Sequence, residues 1–179
     1  NQVNVHSKIG MTFGAGLRAL LRQDPDIIMI GEIRDAETLE TAVRAALTGH
    51  LVLSTIHTND APSTLTRMIE MGLPPFLVVA ATNGIVAQRL VRRLCKGCKG
   101  KGCSTCNKTG FKGRVAVHEV LTFTDSLRQA VLEGMGASRL RKLAREEGMV
   151  TMYEDGLEKV QRGLTTKEEV ARVVGLDYI

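Results

Sequence analysis

Two short apolar runs, each stopping on a polar cluster, organise the first third of the chain. In DIIMIGEIRD, residues 26–35, four apolar residues end at Gly31 and Glu32; in LVLSTIHTND, residues 51–60, a branched run ends at His57. Both runs are too short and too branched for helices, so the pattern predicts strands of the buried kind found in parallel sheets. Between them AETLETAVRAALT, residues 36–48, is built of strong helix formers and closes at Gly49. Strand, helix, strand is the signature of an α/β unit. Ligands in such sheets collect where strands end, so Glu32 and His57 are expected to face one site.

The remaining pattern is mostly helical. The opening NQVNVHSKIG alternates weakly and predicts a strand or extended loop entering a turn at Gly10. Phe13, Leu17, Leu20 and Leu21 recur at helical spacing ahead of Pro25. Further helices are expected over 61–71, with Pro62 in the first turn and Gly72 after the end, and over 75–93, ending in QRLVRRL. GRVAVHEVL, residues 113–121, alternates as a strand. Beyond Thr124 the spacing predicts charged helices over 125–134, 137–147, 153–162 and 166–174, the last opening with Thr166 and Glu169 at capping-box spacing. Leu127, Val131, Leu140, Leu143, Leu157 and Val160 form ordinary amphipathic stripes, which serve as core more often than as docking surface.

Composition narrows the class without deciding the function. The 179 residues are 44% hydrophobic and 24% charged, enough for a globular core. Four Phe, two Tyr and no Trp are too few for a platform that stacks nucleobases. The net charge of +5 is modest and partly sits beside the cysteines, so no specific nucleic-acid partner is expected. No run reaches the roughly 18 apolar residues of a membrane span, and the N-terminus lacks a signal-peptide layout, so the expected location is cytoplasmic. The first residue is Asn rather than Met, and the chain is read as a piece of something longer.

Three sets of residues carry candidate chemistry. An acid ending an apolar strand, here Glu32, suits a group that holds Mg²⁺ through water or orients the water attacking a γ-phosphate; the alternative is a solvated loop residue paired with Arg34. His57 suits a donor to a phosphate oxygen, whereas Thr58, Asn59 and Asp60 suit the cap of the next helix. His50, after Gly49, equally suits the carbonyls of a helix end, while His6 and His118 have no supporting context. No spacing marks Arg34, Arg44, Arg67 or Arg89 as an arginine finger. All four cysteines fall in CKGCKGKGCSTC, as the pairs Cys95 with Cys98 and Cys103 with Cys106. Clustered thiols in a reduced chain suit tetrahedral S₄ coordination of Zn²⁺; glycines allow the tight turns and lysines offset the thiolates. The alternative is a redox-active or merely reduced loop. Only four residues separate the two pairs, closer than in most zinc ribbons.

LRQDPDIIMIGEIRDAETLETAVRAALTGHLVLSTIHTNDAPSTLTRM, followed by QRLVRRLC, resembles the secretion ATPases, the motors of type II secretion and type IV pilus assembly. The similarity runs over essentially the whole chain, and the GEIRD, TGH and STIHTND blocks are specific together. GEIRD resembles that family's Walker B segment, with glycine where other P-loop enzymes put the first acid. The resemblance implies that Glu32 is the catalytic carboxylate polarising water and that His57, in a histidine box, contacts the γ-phosphate. It implies that Gly31, Arg34 and His50 lie near the nucleotide. It also implies ATP and Mg²⁺ as ligands, a hexamer, an inner-membrane platform protein as partner, and pilin-like subunits as load. The tetracysteine motif resembles assembly and secretion motors rather than retraction motors, although those motors normally carry a longer insert between the pairs. One departure is large: no G-x-x-x-x-G-K-[ST] occurs in the chain. The chain therefore resembles the C-terminal portion of such a motor, expected to bind ATP poorly and hydrolyse it negligibly by itself.

The expected fold is thus α/β: a partial RecA-like P-loop NTPase core over 1–93, a tetracysteine metal-binding element with its following strand over 94–121, and a C-terminal helical subdomain over 122–179. A second reading is a zinc-knuckle binding module using Lys96, Lys99, Lys101, Lys108 and Lys112 on acidic surfaces, phospholipid or nucleic acid. It accounts for residues 95–114 and leaves GEIRD and STIHTND unexplained.

Overall fold

In the computed structural model, which describes residues 2–175, the two apolar runs pair as parallel strands. Strand β1 (Ile27–Ile30) lies beside β2 (Leu51–Ser54) with Ile27 opposite Leu51 and Ile30 opposite Ser54. The connection is α2 (Ala36–Leu47), which begins where the Asp35 carboxylate accepts the Thr38 N–H at 2.8 Å. Ahead of it α1 (Phe13–Leu20) starts at Thr12, whose hydroxyl accepts the Ala15 N–H, and packs on α2. The opening residues form no strand: an isolated bridge joins His6 to Met11 around a short 3₁₀ turn.

Helices complete this unit. In α3 (Ala61–Glu70), the Asp60 carboxylate caps the Ser63 N–H and Pro62 occupies the first turn. The helix α4 (Pro75–Ala81) packs on α2 and α3, and α5 (Asp125–Leu132), capped by Thr124, packs on α4. Leu39, Leu65, Val78, Leu127 and Val131 are buried almost completely. Each such side chain contributes about 2 kcal/mol against about 1 for a cap, so packing holds the unit and the caps set where helices begin. The strands depart from expectation, because they are buried on one face only. Ile28 and Ile30 are inside, whereas Ile27 is 62% and Met29 75% exposed, with half-open Leu51 and Leu53 beside them.

The single helix expected over 75–93 is two elements. After α4 the backbone turns extended at Thr82, and Gly84–Leu94 forms β3, antiparallel to β4 (Phe111–Thr122). IVAQRLVRRL suits either state by propensity, and pairing along the whole of β4 decides for the strand. The second unit comprises Gly84–Thr122 and the chain from Arg141 onward, the first the chain up to Asn83 and Phe123–Leu140; these bounds differ from the division of the sequence at residues 93 and 121. The next helix in the chain after α5 is α6 (Ala137–Glu146). On the β3/β4 ribbon pack α7 (Met152–Gln161) and α8 (Lys167–Val174), closing a core of Val91, Val117, Met152, Tyr153, Val170 and Val174. The last helices are thus partly one layer of an α-on-β sandwich.

The capping box expected at Thr166 and Glu169 is only half formed. Thr166 accepts the Glu169 N–H at 3.2 Å, but the buried Glu169 carboxylate is taken by the Arg92 backbone N–H at 3.0 Å and by the guanidinium groups of Arg92 and Arg172, both at 2.7 Å. A complete box stands instead at Thr151 and Glu154, opening α7. Arg172 first, then Arg92, hold the Glu169 carboxyl far below the usual carboxylate range despite its burial. A depressed folded-state value means that this stabilisation is present above the unfolded value near 4.5 and is lost as acid protonates the folded carboxylate. Glu169→Gln is expected to cost about 3 kcal/mol at pH 7, because two arginines lose a buried partner, and to flatten the fall in stability below pH 4.5; urea titrations at pH 7 and across the acid range measure both.

Candidate functional site

The β1/β2 register delivers Glu32 and His57 to one place. Both lie just beyond the C-terminal ends of the parallel strands, and the His57 Nε2 stands 3.3 Å from the Glu32 Oε2. The same oxygen receives the Arg34 Nε at 2.6 Å. Glu32 is half-buried, while Arg34 and His57 reach into solvent. Arg34, and more weakly His57, hold the Glu32 carboxyl below its ordinary range against the opposing effect of partial burial. At neutral pH the group is therefore a carboxylate that can accept a proton or polarise a water; it is no general acid.

Of the other residues expected here, the structure brings Gly31 to this place and leaves His50 elsewhere. Gly31 precedes Glu32, and an added side-chain carbon there would meet nothing within 4 Å. His50 sits at the opposite end of β2, its Nδ1 at 2.9 Å from the Ala45 carbonyl and 3.2 Å from the Thr48 hydroxyl. It closes the end of α2, the alternative that its place after Gly49 allowed. The sequence reading missed Thr55, whose hydroxyl donates to the Gly31 carbonyl at 2.7 Å and whose carbonyl accepts the Ile33 N–H at 2.8 Å. No local spacing could mark it, since both bonds depend on strand pairing across more than twenty residues. Arg44 pairs with Glu40 and Arg67 with Glu70 along their own helices.

The second cluster joins the ends of β3 and β4. Cys95, Cys98, Cys103 and Cys106 are all free thiols whose sulphur atoms lie within 4.8 Å of one another. Three pairs stand at 3.7–3.9 Å: Cys95 with Cys103, Cys98 with Cys106, and Cys103 with Cys106. A tetrahedron with metal–sulphur bonds of about 2.3 Å has edges of about 3.8 Å, whereas a disulfide needs about 2.05 Å. The donor set therefore fits a closed tetrahedral site. The short Cys98-to-Cys103 loop closes because glycine backbones touch: a side-chain carbon on Gly110 would fall 2.5 Å from the Gly100 carbonyl oxygen, and one on Gly102 would fall 2.7 Å from that of Lys108. The Cys95 N–H on the Gly110 carbonyl at 2.9 Å ties the loop to the ribbon.

Backbone donors prepare the sulphurs. The Cys103 N–H points at the Cys106 Sγ and the Gly102 N–H at the Cys98 Sγ, both at 3.2 Å. The first lowers the Cys106 thiol to about 6, while desolvation pushes Cys98 up to about 11. Backbone N–H groups that favour the thiolate form suit a sulphur set that binds a cation. Lys96, Lys99, Lys101, Lys108 and Lys112 surround it, all exposed.

Comparison with known proteins shows the family of the chain. The family model described as Type II/IV secretion system protein matches residues 1–172. The type II secretion system protein HxcR of Pseudomonas aeruginosa is 51% identical over 97% of this chain, which spans 39% of HxcR. The type IV pilus assembly ATPase PilB of Thermus thermophilus is 47% identical over 95% of this chain and is covered over 22% of its own length. Its alignment runs to 197 positions, more than the 179 residues present, so PilB carries residues without a counterpart here. Among solved structures, the pilus retraction motor PilT with bound ADP superposes with a TM-score of 0.74 at 32% identity, over 94% of this chain and 45% of PilT. The ATPase DotB of Yersinia pseudotuberculosis gives 0.73 at 28% identity, over 93% and 41%. The chain spans about two fifths or less of the curated relatives named here. It belongs to the type II/IV secretion system protein family.

Proposed function

We infer that this chain is the part of a secretion or pilus-assembly motor ATPase that supplies the catalytic carboxylate, within a RecA-like core that continues in the longer protein. The observation that carries the reading is the convergence of Glu32 and His57 at 3.3 Å from the ends of two different parallel strands. In this reading GEIRD is the Walker B segment, Glu32 polarises the attacking water, and His57 meets the γ-phosphate of ATP. Arg34 holds the carboxylate ionised and aimed, and Gly31 leaves room beside it. HxcR and PilB are named for type II secretion and for pilus assembly, which supports assigning the parent to a motor of that kind. The parent would act as a hexamer at the cytoplasmic face of the inner membrane, driving pilin-like subunits through a platform protein.

Magnesium is expected with ATP, and Glu32 is the carboxylate here that would hold it through water. No step is assigned to that ion. Zinc fits the four cysteines, which would hold it with no coordination position left for a substrate, so its contribution is to the fold of residues 95–110.

Two measurements test these assignments. In the full-length protein Glu32→Gln is expected to leave ATP binding within about twofold and to lower turnover by at least about a hundredfold, and parental turnover in this variant removes Glu32 from catalysis. Elemental analysis of the purified chain is expected to find one zinc per chain, with four thiols that become titratable only after chelation. Cys106→Ser should lose the metal, and metal-free protein with four reactive thiols would refute the zinc assignment.

A further inference from the structure

Thr55, the residue after β2, holds the segment carrying Glu32 by two hydrogen bonds of opposite sense. Its hydroxyl donates to the Gly31 carbonyl at 2.7 Å, and its carbonyl accepts the Ile33 N–H at 2.8 Å. Glu32 is thus the single residue between two tethered neighbours.

The second of these bonds is not where a regular ladder would put it. In a parallel pair, alternate residues of one strand bond to the two residues flanking their partner. Ile28 faces Val52 and Ile30 faces Ser54, and the ladder opens with the Leu51 N–H on the Asp26 carbonyl. Continued by twos, it would set the Glu32 N–H on the Thr55 carbonyl. The Ile33 N–H takes that acceptor instead, so the β1 side has gained one residue between Ile30 and Ile33. The offset lies just past the ends of both strands, and it turns the segment that carries Glu32 out of the sheet's alternation. It also brings the Gly31 carbonyl, which the alternation by twos would aim away from β2, onto the Thr55 hydroxyl.

Glycine does not account for the bend. Gly31 is not among the residues with positive φ, and a side-chain carbon there has open space. The hydrogen bonds from Thr55 remain as what holds the backbone in this course.

We propose that Thr55 is a positioning residue for Glu32: its hydroxyl on the Gly31 carbonyl fixes the course of the backbone just past β1 and so aims the carboxylate toward His57. The proposal rests on the reading of Glu32 as the water-polarising group. Valine at this position keeps the branched shape and the backbone carbonyl but removes the hydroxyl; serine keeps the hydroxyl.

In the full-length protein, steady-state ATP hydrolysis is measured beside the affinity for a non-hydrolysable ATP analogue. Thr55→Val is expected to lower kcat by at least about tenfold while affinity stays within about twofold, and Thr55→Ser to return kcat to within about threefold of the parent. Parental kcat in Thr55→Val overturns the proposal, as does a joint fall of kcat and affinity or a failure of serine to restore. If Thr55→Val does not fold, Thr55→Ala is read in the same way; failure of both to fold makes Thr55 a folding residue and overturns the proposal. Glu32→Gln separates the two levels. Lost turnover in Glu32→Gln with parental turnover in Thr55→Val sinks the positioning role alone, whereas parental turnover in Glu32→Gln sinks the reading of Glu32 and the proposal together.

Discussion

The register of β1 on β2 is the constraint on which the candidate site depends. With Ile30 opposite Ser54, both chains leave the sheet at the same level, and two residues 25 positions apart in sequence meet at 3.3 Å. A slip of one residue would exchange the two faces of β1, bringing Ile27 and Met29 inward and turning Ile28 and Ile30 out. Burial of the last two is worth about 2 kcal/mol each, so the apolar face that builds the core also sets the geometry of the polar end. The site is precise because it inherits its alignment from packing.

Electrostatics then decides what the carboxylate can do. Arg34 keeps Glu32 ionised, but its guanidinium is mostly in water, where solvent screens such a pair strongly. A contact that weak maintains the charge state and yields readily to a competing anion such as a phosphate. His57, more exposed still, is equally free to change partner. The carboxylate therefore stands ionised beside two side chains that are both open to solvent.

In the second unit, tertiary demands override local chemistry. Glu169 has the spacing of a capping-box acid, yet a buried carboxylate is better satisfied by two guanidinium groups and a backbone N–H than by one cap. The same Arg92 lies over the Phe111 ring at 4.4 Å, joining the start of β4 to the carboxylate that anchors α8. At the end of this ribbon, close contacts at Gly102 and Gly110 fold a loop of four residues tightly enough for four sulphurs to converge. A tetrahedral sulphur set of this kind is full once a metal enters, which suits a staple and not a reaction centre.

Much of this was legible in the chain. The branched runs at 27–30 and 51–54, the helix formers between them, and the polar clusters that end the runs predicted a β-α-β unit with Glu32 and His57 at one end, because local propensity and hydrophobic period agree there. Four thiols at knuckle spacing likewise predicted their own convergence. Other features depended on partners distant in sequence. The segment 84–94 has no decisive propensity, and only β4 makes it a strand. His50 and His57 have the same side-chain chemistry, and only the direction of β2 separates a helix cap from a site residue. Thr55 meets the Gly31 carbonyl only because the chain beyond β1 runs one residue out of the ladder's step. The sequence by itself determined which residues can form strands, helices, caps and a thiolate cluster, since those follow from side-chain shape and local hydrogen bonding; the tertiary structure alone decided which of them meet, since pairing register and burial are properties of contacts between distant segments.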